Sequence, residues 1–423
     1  VTPDTTPRPS PAPRFAWYAA VSPVHDAAAL RGLLDAYAAS LRALGGERWD
    51  PATGTAAPPG GPPVIFVATG GTERLILERA RFGPAEPALL VAHPGQNSLP
   101  AALEVLARLQ QEGLRGRVHY LEGPADEEGL QALAGAVRDR AVRRGLREAR
   151  IGLVGRPSDW LVASSPSPQV VREVWGPTVV PLPLDGLCEP VDADLTALGE
   201  RIARGFRTGA AELVEPSEAD LSAAGRVHAA LRRMVDAGRI DAVSVRCFDL
   251  VARRRTTGCL ALARLNEEGV IAGCEGDLVS TVTMLWAHRL LGALPWMANP
   301  SRVDRARGVL VLAHCTVPPS LTTGCRLRSH FESGLGVGIQ GTLPEGPVTL
   351  VRIGGERLRE LRAVDGLLVG NPDHPDLCRT QVEVEVGRAA LDGLLARPLG
   401  NHVVLVAGHH AATLRGWHEA MIA

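Results

Sequence analysis

The sequence predicts an α/β protein: two doubly wound parallel-sheet domains followed by a mainly antiparallel β domain at the C-terminal end. Three observations carry this. From Phe15 onward, short apolar runs alternate with segments of helical spacing, the rhythm of βαβ units. A second such series starts at ARIGLVG (149–155). After about residue 298 the runs become short, β-rich and separated by Gly and Pro, which suits antiparallel strands. The 423 residues allow about three domains of ~150 residues each. The divisions expected are 14–148, 149–297 and 298–423, with the Pro- and Thr-rich residues 1–13 as a disordered tail.

In the first series, PVIFVA (63–68) is an apolar run bounded by glycines, so a buried strand, and TERLILERA has helical spacing. ALLVAH (88–93) is the next strand. LPAALEVLARLQQEG (99–113) is the next helix, with Pro100 in its first turn. GRVHYLEG (116–123) and a helix over 126–147 continue the alternation. The second series runs through a helix near 169–174 and a strand at 177–184. Helices near 191–208 and 216–238 and a strand at 242–248 follow. The helix in TTGCLALARLNEEG and the strand VIAGCEG close it. VLVLAH, VGIQGTL, GPVTLVRIG, EVEV and NHVVLVAG are the β-rich runs, and a short helix ends the chain.

Composition excludes several kinds of chemistry. The chain contains no lysine; its basic residues are arginines. That removes Schiff-base lysines, the pyridoxal-phosphate anchor and the P-loop lysine. An enzyme of this composition works with carboxylates, histidines, cysteines, arginines or a metal. The formal net charge of -1 steers nothing towards nucleic acid or anionic membrane. No apolar run reaches the ~18 residues of a membrane span. VTPDTTPRPSPAPR has no apolar core after a basic start, so a cytoplasmic protein is expected. The seven cysteines form no CxxC pair and read as reduced, mostly buried thiols.

Four segments are candidates for chemistry. In VIFVATGGTERLI, Gly70, Gly71 and Thr72 form either an anion nest or a tight strand-to-helix turn. HPGQNSLPAALE places His93, Gln96, Asn97 and Ser98 at a strand's carboxyl end. Open α/β sheets bind ligands there, although helix capping explains Asn97 or Ser98 equally well. RPSDWLVAS places Arg156, Ser158, Asp159 and Trp160 after a buried strand, and the indole either stacks on a sugar ring or packs. In AGCEGDLVSTVTML, Asp277 precedes a helical pattern and reads as its N-cap. Glu275 has no such structural role. A buried lone carboxylate costs several kcal/mol unless a cation or donors meet it, and a metal ion is one such cation. The histidines able to join it end or open later strands: His314 beside Cys315, His330 beside Glu332, and His402, with His409 and His410 further on. A histidine at a strand end is ordinarily a hydrogen-bonded structural residue. The chain lacks any short metal signature such as HxxxH with a nearby Glu.

CEGDLVSTVTML, then PWMANPSRVD, VLVLAHCTVPPSL and the closing GNHVVLVAGHHAATLRG together resemble the L-fucose isomerase and L-arabinose isomerase superfamily. The resemblance spans roughly residues 240–423. Upstream it rests on the α/β rhythm and NSLPAALE. It implies a manganese-dependent, or other divalent-cation-dependent, aldose–ketose isomerase that works through an ene-diol on a small sugar. It further implies a homo-oligomer, trimer or hexamer, with His93, Gln96 and Asn97 reaching a neighbour's cleft. The implied ligands are Glu275, His314, His402 and the residue at the family's second acidic position, which here is Asn299. Glu275 and Asn299 then hold the catalytic positions, and His330, Glu332, Trp160, Asn97 and Gln96 contact the sugar. Asn299 departs from the family pattern, because an amide offers an oxygen to a metal but is no base. Asp304, His314 or Glu332 are the possible substitutes. Two alternatives stand beside this reading: a catalytically divergent sugar-binding or regulatory protein on the same scaffold, and a metal-free enzyme using His330, Glu332 and Cys315.

Overall fold

The structure is a computed structural model that describes residues 14–53, 61–188 and 192–422; the tail expected over residues 1–13 lies outside them. The chain forms two compact units, one running to Gly145 with Glu419–Met421, the other from Leu146 to His418 with Ile422.

The first unit holds strands β1 (Phe15–Ala20), β2 (Gly46–Arg48), β3 (Val64–Val67), β4 (Ala88–Ala92) and β5 (Gly116–Tyr120). All pairings are parallel, in the order β2-β1-β3-β4-β5. Side chains of β1 alternate between the two faces. Phe15 and Trp17 enter one core with Tyr37, Leu41 and Phe66; Tyr18 and Ala20 enter another with Ile65, Ile76 and Leu90. Covering both faces requires helices on both sides, which is why the strands read as continuous apolar runs.

The second unit contains β6 (Arg150–Val154), β7 (Thr178–Leu182), β8 (Glu212–Leu213), β9 (Ala242–Val245) and β10 (Ile271–Cys274). Its parallel sheet runs β10-β9-β6-β7. Pro181 sits in β7, an edge strand, where the missing N–H breaks no ladder. The helix expected near 169–174 is a single α turn, Pro168–Val170, that widens into a π turn over Val171–Trp175.

The β-rich region comprises β11 (Trp296–Asp304), β12 (Val309–His314), β13 (Gly324–Arg328), β14 (Gly338–Thr342), β15 (Gly346–Gly354), β16 (Glu360–Gly370), β17 (Thr380–Glu385) and β18 (Val403–Ala407). Six of these close an antiparallel barrel in the order β11-β12-β17-β16-β15-β18, and β14-β13-β8 form a small sheet. The barrel interior is aliphatic, with Leu310, Leu312, Leu350, Val382, Val384 and Leu405 buried together. Closure pairs Ala298 with Val403, and Asn299 pairs with Ala313. Asn299 inside β11, His314 at the end of β12 and His402 just before β18 therefore lie on three neighbouring strands. Among the described residues no helix is long and apolar enough to cross a membrane.

Candidate metal centre

Glu275 follows β10 at a backbone turn that few side chains adopt. Its φ is +62°, and Gly276 follows at +71°. A Cβ on Gly276 would lie 2.7 Å from the Arg156 carbonyl oxygen, so glycine is required there. Gly276 N–H donates to Val245 O (3.0 Å), and the Glu275 carbonyl accepts from Ser158 N–H (2.9 Å). This turn buries the carboxylate. One of its oxygens accepts from Trp160 Nε1 (2.6 Å) and the other lies 3.5 Å from His402 Nε2. Burial pushes the Glu275 pKa up, but His402, Trp160 and His314 together pull it below its ordinary value.

His402 is fully buried just before β18. Its Nδ1 lies 2.9 Å from Asp277 Oδ2, the acceptor for its proton. Asp277 is the N-cap of the helix Leu278–Leu291, as the sequence predicts, accepting from Ser280 N–H (2.7 Å). It also accepts from Ser280 Oγ (2.8 Å) and Arg352 (3.2 Å), so one buried carboxylate caps a helix, meets a cation and orients an imidazole. Burial opposes ionisation of Asp277, yet Arg352 and His402 hold it well below the usual carboxylate range. His402 responds in the opposite sense. Burial alone would lower its pKa, but Asp277 and Glu275 raise it to about 9.

His314 ends β12. Its Nδ1 is 2.9 Å from Thr316 Oγ1, and its ring meets that of His402 edge-on at 5.7 Å. Burial, reinforced by the His402 charge, pushes its pKa down to about 4, so it is a neutral imidazole at pH 7. Glu275, His314 and His402 each offer one ligand atom, all within 4.8 Å of one another.

This donor set fits a divalent first-row metal ion. Two imidazoles and one carboxylate suit Mn, Fe or Zn. The carboxylate beyond His402 supplies the outer hydrogen bond that metal-ligating histidines almost always have. Among the described residues His402 Nε2 is buried without a hydrogen-bond partner, because the 3.5 Å approach to Glu275 is an ion-pair distance of poor hydrogen-bond geometry. An orphaned imidazole nitrogen aimed at a carboxylate is an arrangement that a cation between them would satisfy.

A cavity of about 160 Å³ opens beside these groups, lined by Glu275, Asn299, His314, His330 and Glu332 among others. Most of the sites expected in residues 240–423 thus border one space. His330 is buried and Glu332 is exposed. Trp160 packs edge-on against Phe248 (4.9 Å) while donating to Glu275, so one ring both packs and orients a site carboxylate. Asp304 lies at the far end of β11 from Asn299, and its carboxylate accepts from the backbone N–H groups of Ala306 and Arg307.

Gln96 and Asn97 belong to the first unit. Both have left-handed φ, and Asn97 stands at the N-cap of the helix Ser98–Gln111 without a side-chain capping bond. Capping therefore does not account for Asn97. The Ser98 hydroxyl instead donates to Val67 O (2.5 Å) and accepts from His93 N–H (3.0 Å). Around Gly70 and Gly71 the chain makes a tight turn: Thr72 Oγ1 donates to Thr69 O (2.8 Å) and Gly70 N–H to Gln96 O (2.7 Å).

The scattered cysteines converge in space. All seven are free, and five of them line the cavity, with Cys247 and Cys274 Sγ atoms 2.8 Å apart. Hydrogen bonds from Cys259 and Cys378, joined by Arg379 N–H (3.4 Å), hold Cys315 below the usual thiol range. No sequence spacing signals this clustering. Nor does any local pattern signal Asp277 as the partner of His402, since 125 positions separate them.

No protein-family model matches the chain. Among curated proteins, the chain is similar to the sulfoquinovose isomerase of Alkalicoccus urumqiensis, with 24% identity over 254 residues, 57% of this chain and 56% of that protein. The sulfoquinovose isomerase of Priestia megaterium is 23% identical over 298 residues, 66% of this chain and 65% of the relative. That of Clostridium sp. is 29% identical over 135 residues, 30% of each chain. The chain thus spans less than two thirds of the length of these relatives, and the similarity to proteins named sugar isomerases is distant.

Proposed function

We propose that the chain is a metal-dependent aldose–ketose isomerase of a small sugar. The observation that carries this is the buried cluster of Glu275, His314 and His402, with His402 oriented by Asp277. The relatives named sulfoquinovose isomerase support the isomerase reading. Manganese or another divalent cation is the cofactor in this proposal, held by Glu275, His314 and His402 with the Asn299 oxygen beside them. When bound, it polarises the sugar oxygens and acidifies the adjacent C–H.

The protein groups then have separate tasks. Glu275, ionised below its ordinary pKa and fixed by the Trp160 N–H, takes a proton from C2 and returns one to C1. His330 and Glu332 on the cavity wall meet sugar hydroxyls. The thiol, Phe248 and Phe331 walls keep the cavity poor in water.

The family resemblance favours a neutral sugar of the L-fucose or L-arabinose type. The name of the relatives favours sulfoquinovose. Both belong in one substrate panel. Protein expressed with manganese and then dialysed should hold about one ion per chain by elemental analysis, and Glu275→Ala should lose it. Metal-loaded protein should convert one aldose of the panel to its ketose. Turnover that survives full removal of metal would overturn the proposal.

Asn299 favours a second reading, a sugar-binding protein without turnover. In that case a sugar should raise the melting temperature while no metal supports isomerisation. A cytoplasmic homo-oligomer accompanies the isomerase proposal, and light scattering measures its size.

A further inference from the structure

We propose that a second cavity of this unit binds the phosphoryl group of a small phosphate-bearing molecule. This site is independent of the isomerase reading. Arg226, Arg253, Arg254, Arg255 and Thr256 line a cavity of about 320 Å³, which none of the metal-centre residues lines. Three consecutive arginines on one continuous helix would fan out by about 100° each. Here the helix Phe248–Arg254 stops, and Arg255 takes a left-handed φ of +51° as its C-cap. The break lets all three side chains reach one space.

Among the described residues the cavity is short of negative charge. Arg253 pairs with Asp185 (2.6 Å) and Arg226 with Glu200 (3.3 Å). Arg254 and Arg255 have no ion-pair partner among the described residues, and no acid there lines the cavity. Convergent guanidinium groups repel one another unless an anion sits between them, and their planar forks match phosphate oxygens.

Thr256 gives independent support. It is 4% exposed, and its hydroxyl is buried without a hydrogen-bond partner among the described residues. Buried hydroxyls are almost always paired, and rotation of the Thr256 side chain towards a phosphate in the cavity would supply the missing partner. Leu187, Ala223 and Val227 form an apolar wall for the carbon part of an organic phosphate.

Calorimetric titration with inorganic phosphate, fructose 6-phosphate and unphosphorylated fructose tests this on the full chain. Both phosphates should bind saturably. Arg254→Ala combined with Arg255→Ala should weaken binding about tenfold or more, and Thr256→Val by about tenfold, as expected for hydrogen bonds to a charged group. The arginines are exposed, so circular dichroism should show the double variant folded. His402→Ala should leave phosphate affinity unchanged. Equal affinity for the two phosphates assigns the site to free phosphate; tighter binding of fructose 6-phosphate assigns it to organic phosphates. Absence of saturable binding would overturn the proposal. So would phosphate binding that His402→Ala weakens and the arginine variant does not, because the ligand would then belong to the metal cavity.

Discussion

A left-handed backbone at a residue with a Cβ costs roughly 1–2 kcal/mol, and Glu275 adopts one where glycine would be free of that cost. Such strain persists where the surrounding structure fixes it, and here it aims a carboxylate at two histidines. The sequence shows the anomaly, a carboxylate among buried apolar residues, but not its partners. Asp277 shows the same limit. Its capping bond reaches Ser280, three positions on, and is readable locally; its bond to His402 is readable only in the fold. Asp277→Asn keeps an oxygen for the cap but removes the charge that steadies His402 and faces Arg352. We expect metal affinity to fall about 10–100-fold, the usual cost of losing an outer-shell partner. The helix Leu278–Leu291 should persist. Metal titration beside circular dichroism measures both effects. An unchanged affinity would mean that Asp277 serves only structure.

At the scale of elements, most helices and parallel strands from Val64 onward were legible because apolar spacing reports them directly, whereas the elements between Phe15 and Arg48 were not placed. The short Phe248–Arg254 and Arg388–Ala396 helices were not, since so few residues carry little periodicity. Barrel closure was not legible either. It joins the first and last barrel strands through only three residue pairs, Trp296–Leu405, Met297–Val404 and Ala298–Val403. Yet this closure brings His402 to Asn299 and His314. The two-residue strand β8 depends still more on its surroundings. Beside it, Glu215 accepts from Arg328 Nε (2.7 Å) and Ser329 N–H (3.1 Å). The Arg328 hydrogen bond comes first among the causes that lower the Glu215 pKa to about 2. A carboxylate with a depressed folded-state pKa stabilises the fold above its ordinary titration range and loses that contribution as pH falls towards the folded value. The gain is small, about 1 kcal/mol or less, because the carboxylate is 38% exposed. Hydrogen exchange at Val214, whose N–H donates to Leu327 O (3.0 Å), should therefore quicken relative to its intrinsic rate as pH falls from about 5 towards 2. Glu215→Gln should flatten that dependence.

At the largest scale, the second unit is held by a polar node as well as by its apolar cores. Arg352 on β15 is 2% exposed. It bonds Ser164 (2.6 Å) beyond β6, and also Ser280 and Asp277 at the start of the helix after β10. One side chain therefore joins the barrel to the parallel sheet of this unit. Removing one partner of a buried ion pair typically costs up to about 3–5 kcal/mol, and His402, which still faces Asp277, holds the cost of losing Arg352 at or below that range. That is a large share of the ~5–15 kcal/mol that holds most proteins folded. Arg352→Met should therefore lower the melting temperature strongly. Hydrogen-exchange protection should fall in β10, β15 and β18 and remain unchanged in β1 to β5 of the other unit. Two causes are separable. If lost packing were the whole effect, adding Asp277→Asn would cost more stability. If the under-compensated carboxylate outweighs its remaining pair with His402, Arg352→Met with Asp277→Asn should be more stable than Arg352→Met alone. His402 keeps Asp277 partnered after Arg352 is lost, so the first outcome is expected, and denaturant unfolding of the two single variants and the double variant decides between them.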